Sequence, residues 1–397
     1  MTKSIEKNSF EWTQLVCLSA VHFIIDIFAG MLVVIMPAMQ ARFSISLLTG
    51  ITLITVLNLT CNFVQVFIGH VRENKTSPLL LPSGLVLLAF ICLIPALPRQ
   101  PVSAWLSIPL IILTATGVAI THPEALRAVH SLKKLRPSTT SLVFLNTGYL
   151  GYAVGGYIAA LLISVFGFKG LYLLGVLPAI GFAVVYLSRV RLAVEEKEIS
   201  TDDKMFVVDR VSFLSVLLMA VPATAAPIIL CAMLPQQLNR LGFELTFGGF
   251  TVLCFMGGSI GGAFFWGWFA NKKGELPAII ISLFCGIPFL LAYLFFIHSR
   301  GAVWLLFMTG FCSGSSYPFI VTLARYARGF NLGRRMGLAV GGAWGISSLI
   351  LWALGPLAQS FGIMKVLWLV PFFYLFCAMI GIFIKHSIKT KTLASPE

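Results

Sequence analysis

Two short stretches of the sequence bring ionisable side chains into apolar surroundings. His22 and Asp26 lie four residues apart within one hydrophobic run, and the stretch from His122 to Arg127 ends another. Ionisable groups are costly at membrane depth, so they occur mainly where they pair, line a water-filled cavity or move ions. Because residues four apart share one face of a helix, His22 and Asp26 are predicted to form a proton-coupling pair.

The second stretch adds three charged or titratable groups. His122 and Glu124 flank Pro123, which lacks a backbone donor and can open a helix locally. We interpret both as further proton-coupling candidates. Arg127, three residues after Glu124, is a candidate for a gate or for a charge that meets the substrate. The Glu124–Arg127 spacing also allows a purely structural ion pair, so both interpretations stay open.

The composition defines the class of protein. Hydrophobic residues make up 58% of the chain and charged residues 11%, and the mean hydropathy is +0.95. The apolar runs are near 20 residues long, which is typical of membrane-spanning helices. We predict an all-α membrane protein with twelve spans, at 12–37, 46–70, 78–97, 105–127, 138–166, 168–188, 211–234, 246–268, 277–297, 302–324, 334–357 and 366–385.

The distribution of basic residues predicts the orientation. Only six of the 28 Lys and Arg residues fall in the odd-numbered connections, one in each, and the other 22 lie in the termini and even-numbered connections. The positive-inside rule then places both termini in the cytoplasm. We expect the membrane to be a bacterial inner membrane. The net charge of +14 thus reflects topology, and nucleic acid is not expected as a partner.

The sequence predicts neither an enzyme nor a cofactor. All eight cysteines fall inside predicted spans without a paired spacing, which is typical of small apolar packing residues. No phosphate loop, zinc motif or nucleophile elbow is recognisable. We therefore expect no metal and no catalytic residue.

The chain is predicted to consist of two six-helix halves. Pro123 and Pro318 lie 195 residues apart, and the pairs Phe166-Gly167 and Phe361-Gly362 have the same offset. Such a parallel repeat indicates an N-terminal bundle at 1–190 and a C-terminal bundle at 211–397, with a polar cytoplasmic linker at 191–210. Glycine stripes in spans five and eight predict close helix packing or a hinge; they are Gly148, Gly151, Gly155 and Gly156, and Gly257, Gly258, Gly261 and Gly262.

A loop motif resembles the major facilitator superfamily. Residues 267–275 read Gly-Trp-Phe-Ala-Asn-Lys-Lys-Gly-Glu, similar to the superfamily signature Gly-x-Leu-Ala-Asp-Arg-x-Gly-Arg, and a more divergent copy follows the second span. The resemblance implies two pseudo-symmetric six-helix bundles with a substrate site between them. It also implies that these loops change conformation, through Gly69, Arg72, Glu73, Gly267, Asn271 and Lys272.

Four stretches in the first 160 residues resemble the fosmidomycin-resistance family of drug/proton exporters. They are His22-Phe-Ile-Ile-Asp26, Gln65-x-x-x-Gly69, Leu81-Pro-Ser-Gly84 and His122-Pro-Glu-Ala-Leu-Arg127. The second half shares only general superfamily features. This resemblance implies proton-driven efflux of a small polar or drug-like molecule, with antibiotic resistance as a consequence.

The second half offers no counterpart to the acids of the first. Between residues 211 and 385 the only acids are Glu244 and Glu275, both in or beside loops. We expect this half to supply a neutral wall of the substrate cavity, from Ser313, Ser316, Tyr317 and Trp344.

These observations lead to one preferred function and two alternatives. We expect a monomeric proton-coupled antiporter that exports a small molecule by alternating access, with protons, substrate and membrane lipids as partners. A proton symporter importing an organic anion or nutrient would need the same residues. A membrane sensor or assembly factor that does not transport is the alternative from another class.

Overall fold

The computed structural model describes residues 2–71, 77–132, 135, 137–190, 211–330 and 332–393. Within them the chain is helical, and the one β-bridge joins Ser212 and Arg328. Among the described residues, eleven helices are long and apolar enough to cross a membrane, and the shorter apolar helix Leu80–Ala96 is the twelfth. This confirms the predicted all-α membrane fold.

The first six helices lie at the predicted spans, although α1, from Thr2 to Phe43, extends well beyond the predicted 12–37. The third begins as an α-helix and ends in 3₁₀ geometry at Ala89–Ala96, and the sixth begins with the 3₁₀ segment Phe168–Gly175. The helices are α1 (Thr2–Phe43), α2 (Leu47–Val71), α3 (Leu80–Leu88), α4 (Val102–His130), α5 (Pro137–Phe166) and α6 (Val176–Ser188).

The second six helices contain more interruptions. The tenth is broken at 314–315, the eleventh contains a π-helical turn at Leu338–Gly342, and the twelfth is broken at 368–369. They are α7 (Phe213–Arg240), α8 (Leu245–Lys273), α9 (Glu275–Phe295), α10 (Val303–Ser313 and Ser316–Tyr326), α11 (Leu332–Gly337 and Ala343–Phe361) and α12 (Ile363–Leu367 and Val370–Leu393).

The chain divides into two compact units. One comprises Met1–Glu196 together with Leu238–Leu253, and the other comprises Lys197–Gln237 together with Cys254–Glu397. The predicted linker at 191–210 lies outside the described residues. The proton-coupling candidates of the first half therefore all belong to one unit.

The glycine stripe of α5 lets its backbone touch that of α1. A Cβ atom added to Gly151 would overlap the carbonyl of Phe23, and one added to Gly155 would overlap the carbonyl of Ile27. From the other side, Gly30 of α1 meets the carbonyl of Tyr152 in the same way. This confirms the close packing predicted from the glycine spacing and holds α1 in a fixed register on α5.

The second unit uses glycine in the same way between α8 and α10. Gly258 and Gly262 lie against the carbonyls of Phe307 and Phe311, while Gly310 lies against that of Phe255. No atom would meet a Cβ at Gly257, which points into open space. Only part of the glycine cluster predicted in span eight therefore forms the helix contact.

One predicted loop is helical. The sequence placed residues 267–275 in a loop, but α8 continues through Lys273 and only Gly274 separates it from α9. Gly274 has a φ of +88°, which glycine adopts at little cost, whereas the residues before it contain no helix breaker. Gly267, Asn271 and Lys272 are thus the last turns of a helix, where the Lys272 ammonium lies 4.2 Å from the ring centre of Trp268.

Candidate functional site

The structure brings three of the predicted proton-coupling residues together. The carboxylate of Asp26 lies between two histidines, with Oδ2 at 3.3 Å from His22 Nε2 and Oδ1 at 3.0 Å from His122 Nε2. His22 and Asp26 come from α1, and His122 comes from α4. We call these residues the Asp26 cluster.

Backbone carbonyls fix the orientation of both imidazole rings. His22 Nδ1 lies 2.8 Å from the carbonyl oxygen of Phe144 in α5, and His122 Nδ1 lies 2.8 Å from that of Val118 in α4. The His22 ring also stacks on the Phe144 ring, with centres 4.0 Å apart, and meets the His122 ring edge-on. Three helices therefore hold the cluster in place.

The hydrogen-bond pattern determines where the cluster can carry exchangeable protons. A carbonyl oxygen only accepts, so each Nδ1 must carry a hydrogen, and Nε2 is then the acceptor in a neutral ring. An ionised carboxylate oxygen is also an acceptor. Each Nε2–oxygen contact therefore becomes a hydrogen bond only when a proton lies between the two atoms. The cluster is a cation when both protons are present and an anion when neither is.

The Asp26 cluster is largely shielded from solvent and tightly packed. His22 is buried, while the side chains of Asp26 and His122 are 14% and 21% exposed. Cys61 and Tyr149 lie close enough to interact electrostatically with the Asp26 carboxylate. Gly148 of α5 leaves space for the cluster, since a Cβ there would lie only 2.6 Å from His22 Nε2.

The cluster has the donor atoms of a metal site. One atom from each of His22, Asp26 and His122 lies within 4.8 Å of the others. Two imidazole nitrogens and a carboxylate oxygen are donors that divalent transition metals accept. No sequence motif indicates this set, because its third member, His122, is 96 residues away from Asp26.

Glu124 points away from the Asp26 cluster. Its side chain is fully buried, and Oε2 accepts hydrogen bonds from the backbone N–H groups of Leu80 (3.0 Å) and Leu81 (3.1 Å). Those residues begin α3, whose first N–H groups have no partner within the helix. The carboxylate thus caps α3 and fastens it to α4.

The remaining candidates of the first half are Arg127 in α4 and three residues at and beyond the end of α2. The side chain of Arg127 is buried near the end of α4, at 8% exposure. Gly69 is helical, near the end of α2, whereas Arg72 and Glu73 lie outside the described residues. The predicted conformational role of these residues stays a prediction.

Ser313 and Ser316 lie inside the second unit. Both are nearly fully buried, and their hydroxyl groups donate to the carbonyl oxygens of Thr309 and Ser313, respectively. Ser313 also lies 3.1 Å from the hydroxyl of Tyr374. Both hydroxyl groups are thus engaged within the unit in this conformation, and Ser313 links α10 to α12 through Tyr374.

Tyr317 and Trp344 form an aromatic pair. Their ring centres are 5.5 Å apart in a T-shaped arrangement, and the Tyr317 hydroxyl donates to the carbonyl of Ala339 at 3.3 Å. Ala339 belongs to the π-helical turn of α11, a type of irregularity that is frequent at functional sites. Both side chains are partly exposed, so this pair fits the predicted substrate wall better than the two serines.

Sequence reasoning missed the residues that position the cluster. Phe144 supplies both a stacking ring and a carbonyl, and Gly148 supplies the space for His22 and Asp26. The only sequence signal was their spacing of four residues on the glycine-lined face of α5. Val118 acts through its backbone, for which a sequence carries no signal.

The comparisons with known proteins agree with this architecture. The sequence profile described as Major Facilitator Superfamily matches residues 18–350. The chain belongs to this superfamily. No curated protein matches the chain at a significant level.

Solved structures of other major facilitator proteins share the fold. A bacterial homologue of the human lysosomal transporter Spinster, in an inward-facing unoccupied conformation, aligns with a TM-score of 0.68 and 14% identity, over 96% of this chain and 98% of its own. A mutant of the nucleoside transporter NupG aligns with a TM-score of 0.70 and 12% identity, over 94% and 99%. At such identities the likeness extends to the fold alone.

Proposed function

We propose that this major facilitator protein is a proton-coupled antiporter, which exports a small polar or drug-like molecule by alternating access. The observation that carries the proposal is the carboxylate of Asp26 held between His22 and His122. Those three groups exchange protons at Nε2 and carboxylate oxygens, within helices that are long and apolar enough to span a membrane. The motif resemblance to the fosmidomycin-resistance exporters supports the direction of transport.

The proposed setting is a bacterial inner membrane with both termini in the cytoplasm. The unequal distribution of basic residues supports this orientation. In the proposed cycle, protons from outside bind to the Asp26 cluster, and their release into the cytoplasm drives the export of the substrate. Alternating access would expose the cluster to each side in turn, so that protons and substrate cross in opposite directions.

Proton symport is the competing function, because the cluster would serve import equally well. The direction of proton movement separates the two. Purified protein is first screened by thermal shift against phosphonates, sugars, amino acids and siderophore-like compounds. The protein is then reconstituted into vesicles that contain no substrate, and a compound that stabilises the protein is added outside them.

Antiport predicts that uptake of the compound drives protons out of the vesicles. Protons entering together with the compound would instead establish symport. If the stabilising compounds enter the vesicles without moving protons, proton coupling is overturned. If none of them enters, a non-transporting role becomes the better account.

A further inference from the structure

We propose that the Asp26 cluster binds a divalent transition-metal ion of the Zn²⁺ class. The donor atoms are His22 Nε2, His122 Nε2 and a carboxylate oxygen of Asp26. This binding goes beyond the proposed transport function, and it holds whether or not the protein is an antiporter. It rests on the kind of donor atoms, on their orientation and on their separation.

The donor set selects the class of metal. Imidazole nitrogen suits Zn²⁺, Co²⁺ and Ni²⁺, whereas Mg²⁺ and Ca²⁺ prefer sites built from oxygen alone. Three protein donors, with a fourth position left for water or another ligand, are common in zinc sites that exchange ligands. The Asp26 carboxylate, whose side chain is only 14% exposed, supplies a negative charge that partly offsets that of the metal ion.

The two histidines are already oriented as metal-binding histidines are. Such a residue usually donates its second ring N–H to a carboxylate, a backbone carbonyl or water, and thereby directs the other nitrogen at the metal. Here the carbonyls of Phe144 and Val118 play that part, at 2.8 Å each. Both Nε2 lone pairs are consequently directed into the cluster, towards the same carboxylate.

The separations require only a modest movement. In a tetrahedral zinc site, bonds of about 2.0–2.2 Å place donor atoms about 3.3–3.6 Å apart. His22 Nε2 lies 3.3 Å from Oδ2 of Asp26 and His122 Nε2 lies 3.0 Å from Oδ1, so each nitrogen is already near this distance from one carboxylate oxygen. One donor atom from each of the three residues lies within 4.8 Å of the others, so the widest pair would close by at most about 1.5 Å.

Protons and the metal ion would occupy the same atoms. Metal affinity should therefore fall as the pH is lowered, because protonated Nε2 and carboxylate oxygen cannot bind the ion. The titratable groups facing Asp26 are His22 from its own helix, Cys61 from α2, His122 from α4 and Tyr149 from α5. The proposal rests on the geometry of the donor atoms, and the pH dependence of the metal affinity is one way to test it.

The test is calorimetric titration of the purified full-length protein, free of any polyhistidine tag, with Zn²⁺. Visible absorption of the Co²⁺ complex reports nitrogen and oxygen coordination independently. The variants are His22→Gln, His122→Gln and Asp26→Asn. The matched control is His298→Gln, since His298 is exposed in the connection between α9 and α10.

We expect one Zn²⁺ per chain, bound at micromolar concentration and not displaced by excess Mg²⁺. Each cluster variant should weaken binding by more than the roughly 10–100-fold that follows loss of a group that merely orients a metal-binding residue. The control should leave the affinity unchanged. Melting temperature shows whether each variant is folded, and His122→Gln carries the test if His22→Gln does not fold, because His122 is the more exposed ring.

Absence of stoichiometric Zn²⁺ binding at micromolar concentration would overturn the proposal. So would binding that folded His122→Gln and Asp26→Asn leave intact, because the ion would then lie elsewhere. Proton movement by metal-free protein reports on the transport proposal separately. Metal binding without proton movement would overturn proton coupling alone, and proton movement without metal binding would overturn the metal site alone.

Discussion

His122 Nε2 lies 3.0 Å from Asp26 Oδ1, although the two residues are 96 positions apart and belong to different helices. The contact ties the protonation of one carboxylate to the spacing of α1 and α4. A movement that separates these helices would break the contact, and a proton lost from it would leave two acceptors facing each other. A proton-coupled change of conformation requires that protonation and helix position depend on each other in this way.

The first prediction concerns the tautomers of the two histidines. Because each Nδ1 faces a carbonyl oxygen, we expect neutral His22 and His122 to carry their hydrogen on Nδ1. Nuclear magnetic resonance of protein labelled with ¹⁵N-histidine measures this directly, with the single variants assigning the signals. The exposed His298 serves as the internal control for an unconstrained ring. Hydrogen on Nε2 in both cluster residues at alkaline pH would contradict the proposed arrangement.

The second prediction is that Gly148→Ala disrupts the cluster. The added Cβ would meet the His22 ring and the Asp26 carboxylate, and overpacking of this kind costs about 1–3 kcal/mol. We expect a lower melting temperature and loss of proton coupling. Gly257→Ala is the matched control, because a Cβ there meets no atom within 4 Å. Equal behaviour of the two variants would mean that the packing around Gly148 is more tolerant than the structure indicates.

The third prediction separates two roles of Glu124. Glu124→Ala should lower stability by about 1–3 kcal/mol, because the N–H group of Leu80 loses its acceptor and that of Leu81 keeps only the longer contact with the carbonyl oxygen of Pro78. Glu124→Gln keeps an acceptor oxygen, so we expect a smaller loss, near the 0.3–1 kcal/mol typical of a charge at a helix end. Thermal unfolding of both variants, with Glu275→Gln at the start of α9 as the control, measures the difference.

Proton movement decides whether Glu124 also takes part in coupling, as the sequence suggested. Its place at the start of α3 favours a structural role, so we expect Glu124→Gln to retain coupled transport. Loss of coupling in a stable Glu124→Gln protein would instead show that Glu124 takes part in the proton pathway.

The fourth prediction tests the orientation in the membrane. A single cysteine at Ser200, in the polar linker, should react with a membrane-impermeant reagent only after cells are opened. The eight native cysteines are replaced first, and a cysteine at the Arg99 position, in a predicted external connection, is the control that should react in intact cells. Labelling of position 200 in intact cells would invert the proposed topology.

Much of the fold followed from hydropathy and from a few residues. Each of the twelve predicted apolar runs corresponds to a helix among the described residues, and the α5 glycine stripe forms the predicted close helix contact, with α1 as its partner. The break in α11 was not foreseen, because apolar residues and glycine continue through it. The break in α10 was also missed, although Gly314 and Ser315 interrupt the apolar run there. The end of α8 was placed too early, since a superfamily loop pattern was given more weight than the absence of a helix breaker before Gly274.

The candidate site was predicted in its parts but not as a whole. His22 and Asp26 could be paired from their spacing within one helix, whereas the approach of His122 depends on how α1 packs against α4. Glu124 was grouped with His122 because they are neighbours in sequence. Residues two apart on a helix point in different directions, and the structure directs one to Asp26 and the other to the start of α3.

The most direct test compares wild-type protein with Asp26→Asn in vesicles. Asparagine has nearly the same size as aspartate but cannot exchange a proton, so the cluster should stay packed while its coupling is lost. Two quantities are measured for a compound identified by the stabilisation screen: accumulation driven by an imposed pH gradient, and exchange of labelled for unlabelled compound without a gradient. We predict that Asp26→Asn retains exchange while its gradient-driven accumulation falls to the protein-free background; accumulation at the wild-type rate would contradict the role assigned to Asp26.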